Sequence, residues 1–562
     1  MKPVIYQVLP RLFGNTKKGI NVPNGTIDDN GCGTLEAFTP ALLRRLKQAG
    51  YTHVWYTGLL RHATQTDYST LGIPPSHPDV VKGRAGSPYA IADYYDLDLD
   101  LFNNPAERHE AFNALIARTH RAGLKAVIDF VPNHVARQYR SICAPEGVRD
   151  LGADDNLALA FSPQNNFYYI PGQRLSTANF APESTYKEDP ARVTGNDCFH
   201  AFPSRNDWYE TVKLNYGVDY QQGQTRFSPT PSTWQKMTHI LLHWAARGVD
   251  AFRCDMAEMV PEAFWQYAIA HVKAAYPSVL FIAEVYNPAR YRGYIGAGFD
   301  YLYDKVGLYD TLRAVVQGSK WAADITTCWQ TVEGIGDNML HFLENHDEQR
   351  IASDFFASNA EAALPAFFVA ALMSRAAVMV YAGQEVGEPG MDAEGYSGRD
   401  GRTTIFDYWR VEKLQRLALG LTHLTKAERN LYDRYATLTR LCSQNDIVRQ
   451  GGFYDLMYAN FDHPETFNAA RQYAFLRYTA PDKTTKKAKT AALLCLANFD
   501  GQARQIEVRV PEHAFGCCHL LPGRYTATDL LSRQSQILNL QPDTLISVAL
   551  PAYGGLALHI TK

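Results

Sequence analysis

The sequence predicts an α/β fold: a (β/α)8 barrel with a subdomain inserted after its third strand, followed by a C-terminal all-β sandwich. Three observations predict it. Short apolar runs alternate with helical patterns up to Leu441, a loop-rich stretch breaks the alternation between His134 and about Ser232, and turn-separated strand-like runs follow Leu441. The expected bounds are 1–134 and 232–445 for the barrel, 135–231 for the insert and 446–562 for the sandwich.

One unit of the alternation runs from Asn104 to Phe130. Asn104-Pro105-Ala106-Glu107 reads as a capping-box start with proline at the first helical position. Phe112, Leu115, Ile116 and Thr119 follow at helical spacing, and Gly123 supplies the stop. The next run, Ala126-Val127-Ile128-Asp129-Phe130, is a buried strand whose only charge sits near its end. Further strand runs are His53 to Tyr56, Gly248 to Asp255, Val279 to Glu284, Met339 to Glu344 and Val378 to Gly383. In a barrel the C-terminal strand ends share one face, so carboxylates placed there converge on one mouth.

Stretches such as SPQNNFYYIPGQRL and TANFAPESTYKEDP carry no periodicity, and a structureless loop of that length is unusual in a compact domain; hence the inserted subdomain. A helix is expected near Ala427 to Leu441. Beyond it, Tyr473 to Ala480, Ala491 to Asn498, Gln505 to Val510, Leu545 to Leu550 and Gly554 to Ile560 read as strands, with KTTKKAK a solvated loop.

The chain has 562 residues, 46% hydrophobic and 20% charged, with a formal net charge of -3. No block of like charges marks a nucleic-acid or membrane partner, so the expected ligand is uncharged or small. Nine scattered cysteines without a C-x-x-C pair read as reduced thiols of a cytoplasmic protein, not as a zinc site. The amino terminus MKPVIYQVLPRLF has no long apolar core followed by a cleavage site, which fits the same expectation. Aromatic residues make up 12% of the chain, more than enough for a cleft in which sugar rings stack on aromatic faces.

The chemistry-bearing segments, in order, are Asp129-Phe-Val-Pro-Asn133-His134, Gly248-Val-Asp-Ala-Phe-Arg253-Cys-Asp255, Phe281-Ile-Ala-Glu284 and Phe342-Leu-Glu-Asn345-His346-Asp347. Together they resemble the four sequence regions of the α-amylase family of glycoside hydrolases. The resemblance implies that Asp255 attacks the anomeric carbon and Glu284 acts as general acid and base, in a retaining mechanism whose two carboxyl groups lie ~5 Å apart. It implies that Asp347 holds ring hydroxyls, that His134 and His346 hydrogen-bond the same sugar, that Tyr89 in SPYAIADYYDLD is a stacking platform, and that Asp129 supports the mouth. Arg253, two residues before Asp255 on one strand, faces the same way and is expected to keep that carboxylate ionised. Glu284 is expected in a less polar niche. Trp208 and Tyr209, in the insert, are candidate sugar platforms.

Two departures stand out. Many members of the family hold calcium through the asparagine matching Asn133 and a downstream aspartate, but the matching segment here is Val212-Lys213-Leu214-Asn215. An ammonium at Lys213 repels a cation, so no cofactor is expected. After Asp255 the chain reads Met256-Ala-Glu258-Met259, where starch-degrading relatives often carry Lys-His at the last two positions. The expected activity is hydrolysis of α-1,4-glucans or maltooligosaccharides. Transfer to a sugar acceptor is the alternative, a non-catalytic binding subunit a distant one, and a metal-dependent barrel enzyme lacks a compact histidine cluster in the sequence.

Overall fold

The structure is a computed structural model that describes residues 2–393, 398–479 and 491–561. Eight parallel strands close into a barrel: β1 (Val4–Val8), β2 (His53–Tyr56), β3 (Lys125–Phe130), β4 (Ala251–Cys254), β5 (Leu280–Ala283), β6 (Tyr301–Tyr303), β7 (Met339–His341) and β8 (Ala377–Tyr381). The ring is sealed by β1 against β8, with Val4 opposite Val378 and Gln7 opposite Tyr381. Six of the eight strands fall on runs picked out above. β1 and β6 do not: β1 is buried throughout and starts at the fourth residue, and β6 is three residues long, too short for a periodic signal.

The helix after β2 buries Phe112, Leu115, Ile116 and Thr119, the four positions expected, and Gly123 follows with φ +74°. Its start differs from the expectation. The Asn104 side chain accepts from Ala106 N in an Asx turn, Pro105–Glu107 form a single 3-10 turn, and the α-helix proper runs Arg108–Arg121 without a side-chain cap.

Between β3 and the helix Ser232–Ala246 lies the irregular stretch, organised by three short antiparallel pairs: His134–Ala136 with Thr211–Lys213, Tyr169–Ile170 with Ala191–Arg192, and Val218–Asp219 with Gln224–Thr225. The first pair sets His134 opposite Lys213. The C-terminal region forms a six-stranded antiparallel sheet and a two-stranded sheet of Arg504–Arg509 and Leu545–Leu550. The strands Gly452–Asp455, Gly523–Asp529 and Ser535–Leu540 are additional to those expected. KTTKKAK lies outside the described residues.

What joins the sheet to the barrel is the helix Leu364–Leu372, LPAFFVAAL, buried at every position. A helix apolar all round needs partners on all sides. Phe368 meets Phe475 of the sheet at 6.3 Å between ring centres, and a Cβ at Gly555 would come within 2.5 Å of the Phe368 ring. All nine cysteines are free thiols. Among the described residues no helix is long and apolar enough to cross a membrane.

Candidate active site at the barrel mouth

Parallel pairing aligns the site before any side chain is considered. Arg253 on β4 lies opposite Asp129 on β3 and Ile282 on β5. The ladder continues past the strand ends, with Asp255 N donating to Phe130 O at 2.9 Å and Glu284 N to Cys254 O at 3.1 Å. Period-two alternation then turns Arg253 and Asp255 to one side, and Glu284 arrives beside them from the next strand.

Arg253 is the hub. Its Nη1 donates to Asp255 Oδ1 at 2.6 Å and lies 3.7 Å from Asp129 Oδ1, while Nε donates to Tyr303 Oη at 3.1 Å. Nη2 lies 2.8 Å from Glu284 Oε2 but out of line for a hydrogen bond, so that contact is an ion pair only. The guanidinium sits among the rings of Trp55, Tyr89 and Tyr303, 5.4–5.5 Å from their centres.

Glu284 is buried, and its niche is polar, contrary to expectation. Oε2 accepts from Met256 N at 2.7 Å and Oε1 from the Tyr286 hydroxyl at 2.5 Å. The donor at Met256 is available because that residue takes φ +42°, a left-handed conformation rare outside glycine and often found at functional sites. Two influences oppose each other on Asp255. Burial pushes its carboxyl well above the usual range; Arg253 opposes the shift and the charge on Glu284 adds to it. The two acids share one guanidinium.

Asp347 is held differently. Its side chain remains 43% exposed toward the mouth. Burial there raises its pKa, but His346, hydrogen-bonded to it, and Arg253 outweigh that and hold the carboxyl below the ordinary value. Asn345 Oδ1 accepts from the backbone N–H groups of Asp347 and Glu348, both at 2.8 Å, and so fixes the turn that presents it. Gln7 Nε2 lies 2.8 Å from His346 Nδ1, and His346 Nε2 faces Asp347 Oδ2 at 2.9 Å and Tyr89 Oη at 2.6 Å. Tyr89 stacks on His346, 5.0 Å between ring centres. Asp129 Oδ2 accepts from Trp55 Nε1 at 3.1 Å and Gly58 N at 3.0 Å, tying β3 to β2 beneath the mouth.

On the insert side, burial lowers His134 to about 3, with the ammonium groups of Lys213 and Lys82 adding to the shift, so its ring is neutral at ordinary pH. Trp208 meets it edge-on at 5.2 Å and lines the cleft. Tyr209 does not: it is stacked on Phe180 at 4.5 Å and is not among the residues lining the cleft. Lys213 Nζ donates to Asn133 Oδ1 at 2.9 Å and pairs with Asp197 Oδ1 at 2.6 Å. Glu258 lies to one side, its carboxylate accepting from Asn287 N at 3.2 Å; neither it nor Met259 lines the cleft.

The cleft, about 240 Å³, thus gathers Asp255, Glu284, Asp347, Tyr89 and His134. Arg253, Asp129 and His346 support it from behind. The sequence reading did not single out Tyr286, Gln7, Trp55 or Tyr303. Tyr286 had a usable signal, being two residues beyond Glu284 on the same side of the extended chain. Elsewhere, Asp96, His109 and Cys143 lie close enough together to suggest a metal. Two guanidinium groups already occupy that carboxylate, Arg108 at 2.5 Å and Arg61 at 3.1 Å.

A closed parallel barrel with three carboxylates at its C-terminal mouth, two of them joined by one buried arginine, places the protein among the barrels whose site is built from acidic strand ends. The comparisons say which of these it is. A profile of the alpha amylase catalytic domain matches residues 7–410, and the chain belongs to the alpha-amylase family. Maltase 1 of Drosophila virilis is 24% identical over 258 residues, 45% of this chain and 31% of its own length. Neopullulanase 2 of Thermoactinomyces vulgaris is 22% identical over 453 residues, 78% of this chain and 63% of its own. The matches therefore span 31% and 63% of the length of these curated relatives. Among solved structures, a debranching enzyme of Nostoc punctiforme superposes with a TM-score of 0.64 at 18% identity, covering 99% of this chain and 98% of that one. A maltogenic alpha-amylase of Thermotoga neapolitana gives 0.62 at 17% identity, covering 100% and 99%.

Proposed function

We propose that the protein is a retaining α-glycoside hydrolase acting on α-1,4-linked glucans or maltooligosaccharides, with Asp255 as nucleophile and Glu284 as general acid and base. The carrying observation is that one buried guanidinium, Arg253, reaches both carboxylates. Two acids within the span of one side chain suit direct attack by one and proton donation by the other; an inverting pair stands further apart to admit a water. Asp255 attacks the anomeric carbon as Glu284 protonates the departing glycosidic oxygen. Glu284, now a carboxylate, then takes a proton from water, which releases the sugar from Asp255. Arg253 steadies whichever of the two is charged. Asp347, open to the cleft and held ionised, is placed to accept from ring hydroxyls, and neutral His134 to hydrogen-bond them. Tyr89 offers its ring as a platform.

Calcium does not fit this arrangement. The ammonium of Lys213 stands at the oxygen of Asn133 that would ligate it, and a divalent ion needs several free oxygen ligands. We propose that Lys213 joins barrel and insert in its place and that the enzyme works without a cofactor.

The test is incubation of wild type and Asp255→Asn with maltose through maltoheptaose. Wild type is expected to yield shorter sugars, and Asp255→Asn to lose at least ~10³-fold in kcat with its Tm unchanged. Products longer than the substrate would assign transfer in place of hydrolysis, and undiminished turnover by Asp255→Asn would refute the mechanism.

A further inference from the structure

Two charged residues that no motif covers line the same cleft. Lys82 lies in the loop after β2 that also carries Tyr89, and Glu210 immediately precedes the strand Thr211–Lys213 paired with His134–Ala136. Lys82 Nζ lies 2.8 Å from Glu210 Oε1, with the two side chains only 13% and 6% exposed. The second carboxylate oxygen, Glu210 Oε2, is buried and has no hydrogen-bond partner in the protein. A buried carboxylate oxygen left unpaired costs free energy, which a donor from outside the chain, water or ligand, relieves.

The position decides which donor. The pair lines the same cleft as His134, Trp208, Asp255, Glu284 and Asp347. A carboxylate with a free lone pair beside an ammonium with spare protons matches neighbouring hydroxyls on one sugar ring: Glu210 accepts from one O–H while Lys82 donates to the adjacent oxygen. An anionic ligand group would meet Glu210 as well as Lys82, so the pair favours a neutral polyhydroxylated ring.

We propose that Lys82 and Glu210 form a hydroxyl-recognition dyad that anchors a glucosyl unit on the insert-side wall and sets substrate specificity. This rests on the α-glucan reading of the cleft. It makes both residues specificity-determining without any part in bond cleavage. A site built to hydrogen-bond hydroxyls discriminates strongly against analogues that lack them, because its polar groups are then left unpaired.

The experiment compares wild type, Lys82→Met, Glu210→Gln and the double variant on maltotriose and on monodeoxy-maltotrioses, reading kcat, KM and Tm. Each single variant is expected to raise KM at least tenfold with kcat within about threefold, and the double variant to cost no more than the larger single, since both act through one bound ring. At least one monodeoxy substrate, penalised by wild type, should lose its penalty in Glu210→Gln. A pair that only ties the insert to the barrel would lower Tm and leave KM and the deoxy penalties at wild-type values; that result overturns the dyad. Wild-type protein that turns over no α-glucan overturns the functional reading and, with it, the dyad's ligand. Wild-type turnover with unmoved variants overturns the dyad alone.

Discussion

Arg253 bears more of the site than any other residue, since Asp255, Glu284 and Asp129 all stand against its guanidinium. Asp255 bonds to it, Glu284 pairs without a hydrogen bond, and Asp129 stands 3.7 Å off. Lys213 plays the corresponding part where the insert leaves the barrel, bridging Asn133 and Asp197. Two expectations follow for it. Metal analysis of protein purified without chelators should find no stoichiometric calcium, and EDTA should leave Tm unmoved. Lys213→Met should lower stability by about 1–3 kcal/mol, the cost of leaving the buried Asn133 oxygen unpaired. Stoichiometric bound calcium would contradict this.

At the scale of elements, the site depends on a loop as much as on the strands. The loop between β2 and the helix Arg108–Arg121 carries both Lys82 and Tyr89, and Gly86 between them pins it: φ is +79°, its carbonyl accepts from Arg11 Nη1 at 3.1 Å, and a Cβ would stand 1.7 Å from Ala63 O. Gly86→Ala combines a left-handed residue, worth about 1–3 kcal/mol of strain, with a backbone clash. It should lower Tm and displace Tyr89, cutting kcat/KM on maltotriose at least tenfold. Wild-type values in both would show that the loop is not held there.

The same elements show what the sequence could disclose. The strands leading to Asp129 and Glu284 were legible because a lone charge stands at or near the end of an apolar run. β6 was not, because three residues cannot establish a period. The Lys82–Glu210 pair is a contact between residues 128 positions apart, in two aperiodic segments, and only the fold brings them together. Tyr209 misled for the complementary reason: its neighbour Phe180 comes from elsewhere in the insert and covers it.

On the scale of the whole molecule, the barrel supplies convergence, the insert one wall of the cleft, and the C-terminal sheet a cover for the all-apolar helix Leu364–Leu372. None of these alone makes a site. Convergence puts Asp255 and Glu284 on neighbouring strand ends, with Arg253 bridging them, and the proposed mechanism has a stereochemical consequence: displacement by Asp255, then displacement of Asp255 by water from the opposite face, the one the leaving group vacated, inverts the anomeric carbon twice. The most direct measurement is therefore NMR of the first-formed product during hydrolysis of maltotriose, read before mutarotation equilibrates the anomers. The account predicts that the new reducing end appears as the α-anomer; initial release of the β-anomer would mean a single displacement by water and would contradict it.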